Sequence, residues 1–237
     1  MKKYYSLILT FILVVIAFRL FPVIINRISN SQIIDNNRLS DSQPLSFITL
    51  NDKARKVPSF LMTNQDQLMI GNEDFLGKVY VVEFFFTTCP SICPIMNKNM
   101  KRLEAEFGNR NDFAIASFTI DPDHDTPKVL KEYSELYNVF SKNWHFLTSD
   151  KKTVFELSNK GFNIFSKINP DVAGGFEHQG FFALIDKKGY IRSRFDSYGN
   201  PIVYYLGIDQ EDPNVLDGTD MLLEDIPKLL KEQYYGK

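Results

Sequence analysis

Cys89 and Cys93 are the two cysteines of this 237-residue chain, and both lie in the stretch TTCPSICP. At helical i, i+4 spacing their Cα atoms would stand about 6 Å apart, close enough for a disulfide or for one shared metal ion. Pro90 and Pro94 restrict the backbone beside each thiol and so preorganise the loop. An adjacent helix N-terminus would favour the thiolate, the form that binds a metal or attacks a disulfide. The bland alternative is a pair of small buried residues, which requires both cysteines to share one loop by chance.

Three histidines are available as further donors. His145, inside the apolar WHFLT, reads as structural. His124, in DPDHDTP, is either a solvated turn residue or a neighbour of the site. His178 closes the glycine-containing GGFEHQG just before the apolar FFALID, and a loop histidine taken alone is more often solvated than a ligand.

The elements around these residues follow from periodicity. Residues 79–86 (VYVVEFFF) form a near-continuous run of β-branched and aromatic residues, as a central strand covered on both faces requires, with Glu83 as its anomaly. Pro94 then opens a helix with Met96, Met100, Leu103 and Phe107 at helical spacing and Gly108 as its C-terminal cap. The cysteines therefore sit at the carboxyl end of a strand, where α/β sheets place their ligands. The unit repeats: a strand over 113–120, Thr126-Pro127 as N-cap and first-turn pair, and a stripe of Val129, Leu130, Tyr133, Leu136 and Tyr137. A third strand at 144–148 leads to a helix behind Ser149-Asp150, and 181–186 and 190–195 flank Lys187-Lys188-Gly189 as a hairpin. The apolar pattern of 220–234 contains Pro227, so that helix is either kinked or begins nearer Asp225. Alternation followed by a hairpin implies an α/β fold with a mixed central sheet.

Composition removes other classes. With 44% hydrophobic and 14% aromatic residues the chain is neither collagen-like nor low-complexity, and wholesale disorder is disfavoured. Two cysteines exclude a disulfide-dense scaffold and a zinc site of three or four thiolates. A net charge of −2 gives no reason to expect a nucleic-acid partner. That charge hides an asymmetry, because residues 1–27 hold Lys2, Lys3, Arg19 and Arg27 with no acid, leaving the remainder at −2 − 4 = −6. Residues 4–25 (YYSLILTFILVVIAFRLFPVII) match the roughly 20 apolar residues of a spanning helix. The alternatives are a cleaved signal peptide, which lacks a small-residue cleavage site here, and a buried core helix, which the unbroken Leu7–Phe18 run disfavours. Lys2 and Lys3 bias the short N-terminus toward the cytoplasm, so the rest of the chain is expected across the inner membrane, facing the periplasm or its equivalent. The expected organisation is a membrane anchor at 1–29, a polar tether at 30–43 and one domain at 44–237, about 190 residues and long enough for a substantial core.

The runs VVEFFFTTCPSICP, SFTIDPDHDTPKVLKEY, WHFLT and EHQGFFALIDKKGYIRS, in that order and at compatible spacing, resemble the Sco/SenC family of membrane-anchored copper-binding proteins over about 58–237. The resemblance implies a thioredoxin-like fold and one copper ion, Cu(I) or Cu(II), held by Cys89, Cys93 and His178, with Asp121 orienting or tuning the site. Two soft thiolates and one imidazole suit Cu(I), whereas Cu(II) or Zn(II) would want a further ligand. A donor on a loop with Gly174, Gly175 and Gly180 would let the site open and pass its metal on. The chain departs from the family in carrying Ser91 where an acidic residue is usual, His124 where a basic residue is common, and Gln179-Gly180 after the histidine. The resemblance implies a copper chaperone that assists assembly of the dinuclear copper site of cytochrome c oxidase, with the oxidase's copper-bearing subunit or another copper or thiol protein as partner. The rival is a thiol-disulfide oxidoreductase using the Cys89–Cys93 pair as a redox-active disulfide, although such enzymes carry C-x-x-C, one residue shorter. A peroxidase-like reading would need an Arg beside a cysteine, and Arg102 is the nearest downstream.

Overall fold

Seven consecutive residues, Val79–Phe85, are all buried, as a strand with both faces covered must be. In the computed structural model, residues 44–196, 198–209 and 216–234, together with Arg19, are described. Apart from Arg19, the expected anchor at 1–29 and the tether at 30–43 lie outside the described residues; among those described, no helix is long and apolar enough to cross a membrane.

The strands are β1 (Ser46–Phe47), β2 (Thr49–Leu50), β3 (Lys53–Ala54), β4 (Leu61–Asn64), β5 (Met69–Gly71), β6 (Val79–Phe85), β7 (Phe113–Thr119), β8 (Trp144–Thr148), β9 (Ser166–Ile168), β10 (Phe176–His178), β11 (Phe181–Ile185), β12 (Ile191–Ser193) and β13 (Tyr205–Leu206). The α-helices are α1 (Ile92–Phe107), α2 (Pro127–Leu136), α3 (Lys151–Glu156) and α4 (Gly218–Lys231). The main sheet runs β1-β12-β11-β6-β7-β8-β4-β5, with β13 paired to β11. β6, β7 and β8 are parallel, and β11 joins β6 antiparallel, so the sheet is mixed as expected. Parallel neighbours require crossovers, and α1 and α2 supply them.

The elements expected from the sequence mostly form within two residues of the expected bounds, whereas β1–β5, β9, β10 and β13 are not anticipated. Thr126 accepts a hydrogen bond from the Val129 N–H with Pro127 inside the first turn, so the N-cap signal holds. Three differences matter. Helix α1 begins at Ile92 rather than Pro94, which brings Cys93 into its first turn. Helix α4 starts at Gly218, capped by the Asp217 carboxylate, and continues through Pro227, so it begins well before Asp225. The segment read as a glycine-containing loop ends in strand β10, paired with β9 in a two-stranded sheet of its own.

Aromatic packing fills the space between the sheet and its covering elements: Phe84 stacks on Phe118 at 5.5 Å and Trp144 on Phe146 at 5.2 Å. Each such fully buried ring contributes about 1.5–3 kcal/mol. Two of the titratable groups packed in or against this interior bear on stability near neutral pH. Burial, helped by the nearby Lys78 charge, pushes His145 down to about 4, and its Nδ1 lies 3.3 Å from Asn64 Nδ2. Burial pushes Glu83 up to about 7, offset by the Ser117 hydroxyl donating at 2.6 Å.

Their effects on stability have opposite signs. Between pH ~6.5 and ~4 the unfolded chain binds more protons at His145 than the folded one, so stability falls as pH drops through that window. Between ~4.5 and ~7 the folded chain binds more protons at Glu83, so stability falls as pH rises. Because the two windows overlap, each contribution is read as the stability of wild type relative to the variant: in denaturant titrations that difference should fall for His145→Gln as pH drops from ~6.5 to ~4, and for Glu83→Gln as pH rises from ~4.5 to ~7. A wild-type slope in either variant contradicts the assignment.

Candidate metal centre

The chain leaves β6 and turns at Phe86, whose carbonyl accepts the Cys89 N–H at 3.2 Å. Ser91 occupies the N-cap position of α1 without a side-chain capping bond. The Cys93 N–H, one of the first-turn donors a helix leaves unpaired, points instead at Cys89 Sγ, 3.5 Å away. The sulfur of Cys89 thus does the work of a capping oxygen, and the positive end of the helix dipole faces it. A hydrogen bond from the Cys93 thiol, then contacts from His178 and the N–H groups of Ser91 and Cys93, hold the Cys89 thiol far below its ordinary range against the opposing effect of burial. Burial and the neighbouring Cys89 push Cys93 the other way.

β10 brings in His178. Its Nε2 lies 3.3 Å from Cys93 Sγ, and its ring meets the Phe86 ring edge-on at 5.8 Å. One donor atom from each of Cys89, Cys93 and His178 lies within 4.8 Å of the others, with both cysteines buried and the histidine half-buried. Gly174 makes the approach possible. It adopts φ +88°, and a Cβ there would stand 2.9 Å from Phe86 Cε2 and 3.0 Å from Pro90 Cδ, so a side chain would push the hairpin away from the cysteine loop.

The donor set fits a soft ion: two sulfurs and one imidazole nitrogen converge, with little solvent access and no carboxylate among them. The structure brings together Cys89, Cys93 and His178 and leaves other candidates apart. Among the described residues, no hydrogen bond joins the Asp121 side chain to either cysteine or to His178; its backbone carbonyl receives the N–H groups of His124 and Asp125. Arg102 pairs with Asp217 and Asp220 at the start of α4, which removes the cation that a peroxidase-like reading wanted beside a thiol.

The carboxylate tied to the cysteine loop is that of Asp125, which sequence reasoning missed. Fully buried, it accepts the Thr87 N–H at 3.0 Å and the hydroxyls of Thr87 and Thr119, and His124 Nδ1 lies 2.9 Å from it. It therefore fastens the start of the cysteine loop to the end of β7. His124 is itself exposed, yet its contacts with Asp125 and Thr87 place it beside the loop. Asn97, one turn after Cys93, donates to the Cys93 carbonyl at 2.9 Å and to Tyr133 Oη at 2.6 Å, joining the cysteine turn to α2. The DPDHDTP spacing was the signal for Asp125; no local pattern marks Asn97.

Comparison with known proteins agrees with this architecture. The sequence model of the SCO1/SenC family matches residues 49–210. The SCO1 protein homolog of Bacillus subtilis (strain 168) is 32% identical over 147 residues, 61% of this chain and 76% of the relative. A putative copper-binding protein of Stutzerimonas stutzeri is 27% identical over 161 residues, 67% of this chain and 76% of that one. The solved structure of BsSco, a member of the Sco family of cytochrome c oxidase assembly proteins in which a disulfide switch was identified, superposes with a TM-score of 0.63 at 28% identity. That match covers 81% of this chain and 100% of BsSco.

Proposed function

Because this chain belongs to the SCO1/SenC family, we propose that it is a copper chaperone in which Cys89, Cys93 and His178 hold one copper ion for transfer to a copper site under assembly in cytochrome c oxidase. The observation that carries the reading is the convergence of two sulfurs and one imidazole nitrogen within 4.8 Å in a largely buried site. The copper-binding relative and the oxidase-assembly relative support the metal and the destination. Copper is the cargo, a soft Lewis acid when Cu(I), and the protein's own groups do the rest. Cys89 is held as a thiolate at the helix N-terminus, Cys93 gives up a proton when a cation replaces it, and His178 closes the site from a separate hairpin. Asp121 is retained as a residue that tunes the site through the 121–125 turn rather than by contact. The Cys89 Sγ to Ser91 Oγ distance of 3.7 Å puts a neutral hydroxyl where the family usually has an acid, so this chain presents less negative charge to its partner.

The anchor at 1–29, the tether at 30–43 and the domain at 44–237 complete the reading: a single apolar segment with Lys2 and Lys3 on its cytoplasmic side holds the domain at the outer face of the inner membrane. Anaerobic Cu(I) titration against a chromophoric chelator tests the function. Affinity tighter than about 1 μM is expected, weakened at least about tenfold by Cys89→Ala and by His178→Ala. Weaker binding, or binding indifferent to both substitutions, overturns it.

A second reading is favoured by the free cysteine pair and the stabilised Cys89 thiolate: exchange with a partner's disulfide, Cys89 attacking one sulfur and Cys93 resolving the mixed disulfide. Insulin reduction separates the two readings, since exchange should survive His178→Ala while copper binding should not.

A further inference from the structure

His178 is placed by its backbone. A metal-binding histidine is ordinarily aimed by a hydrogen bond at its second ring nitrogen, but His178 Nδ1 is buried without a partner among the described residues. What fixes the ring is the hairpin beneath it, and that hairpin pairs with no strand of the main sheet.

In the β9–β10 pair, Gln179 N–H donates to the Phe165 carbonyl at 3.1 Å and Asn169 N–H to the Gly175 carbonyl at 2.9 Å. Antiparallel ladders alternate between hydrogen-bonded and non-hydrogen-bonded pairs. Ser166, registered opposite His178, is therefore in a non-hydrogen-bonded pair, with its N–H and carbonyl directed away from β10. Both are taken by one side chain. Asn159 Nδ2 donates to the Ser166 carbonyl at 2.9 Å, and Asn159 Oδ1 accepts the Ser166 N–H at 3.0 Å. The carboxamide thus replaces a neighbouring strand at the single residue that faces the donor histidine. Its own backbone is firm: Asn159 lies in the π-helical turn Leu157–Phe162 that follows α3, whose Ser158 hydroxyl donates to the Ile164 carbonyl and accepts from the Ser166 hydroxyl at 2.9 Å. Such π-turns are uncommon and are often found at functional sites.

We propose that Asn159 is the positioning residue of the copper site, its carboxamide clamping Ser166 and so setting His178 Nε2 over the two cysteine sulfurs. This rests on His178 being a copper donor and adds how it is held. Loss of the clamp frees the edge of β9 and lets the hairpin shift, while the dithiol, built on β6 and α1, stays in place.

The test is a double-mutant cycle on the membrane-free domain's parent chain in detergent, read by Cu(I) competition. A second readout, on reduced metal-free protein, is the NMR contact between the His178 ring and the Cys93 β-protons. Asn159→Ala is expected to weaken Cu(I) binding about tenfold, the range for residues that orient a ligand, and to weaken the ring contact. In a His178→Ala background the same substitution should cost nothing further, because its effect passes through the histidine. Asn159→Asp keeps the acceptor for the Ser166 N–H and loses the donor, so it should fall between, and it serves as the deciding variant if Asn159→Ala does not fold. An unchanged affinity and ring contact, or a full additive loss in the His178→Ala background, overturns the role of Asn159. Indifference to His178→Ala itself overturns the copper reading instead.

Discussion

Reduced, metal-free protein treated with iodoacetamide at pH 7 is expected to be alkylated at Cys89 at least about 30-fold faster than at Cys93. An ordinary thiol with pKa ~8.5 is about 3% thiolate at that pH, while Cys89 is held as the thiolate by the Cys93 thiol, His178 and the N–H groups of the first helical turn. Cys93 is fully buried and its thiol is pushed above the ordinary range, so it lags both by access and by charge. Because the Cys89 pKa is lowered, the rate should stay flat as pH falls from 8 to 5, where an ordinary thiol would slow about tenfold per unit. Peptide mapping of the modified chain reads both quantities; equal labelling, or a rate rising tenfold per unit, contradicts the arrangement. Under either proposed chemistry the asymmetry would make Cys89 the first thiol to meet a metal or a disulfide and Cys93 the one that follows.

Asp125→Ala should be the substitution outside the candidate donor set that most loosens the start of the cysteine loop. It removes a fully buried carboxylate and strands the part-buried Thr87 N–H and the buried Thr119 hydroxyl, at roughly 1–3 kcal/mol for each unpaired donor. Because Thr87 opens the cysteine loop, Cu(I) affinity should fall as well. Asp125→Asn preserves shape and one acceptor and should lose less than half as much stability. Urea unfolding of both variants checks this. A loss under about 1 kcal/mol for Asp125→Ala would show that the loop is held by other contacts. Asp121→Ala, whose side chain makes none of these bonds, is the control for the stability measurement.

The neighbourhood of the cysteines was legible because it is local. A strand with no polar face but Glu83, a proline-flanked pair of thiols and a helical stripe from Met96 to Phe107 are written within 30 consecutive residues, and each needs only near neighbours to form. The start of α1 was missed by two residues because Pro94 is tolerated in a first turn without having to open it. The glycine-containing segment looked like a loop because three-residue strands carry too little alternation to be read. Its strand character comes from pairing with β9 and from Asn159, neither of which is adjacent in sequence.

From the sequence alone came the α/β class, the thiol pair at the carboxyl end of the central strand, the capping pair at Thr126-Pro127, and, through the family resemblance, His178 as the proposed third donor. Tertiary structure decided what those groups touch. Cys93 and His178 meet across 85 positions because β11, the strand that follows the histidine, pairs with β6, the strand that leads to the cysteines, and the β9–β10 hairpin turns the histidine toward them. Likewise Asp125 rather than Asp121 holds the loop, because the turn after β7 aims one carboxylate at Thr87 and leaves the other outside. Local pattern specifies which groups a segment offers, while strand order and burial select the partners.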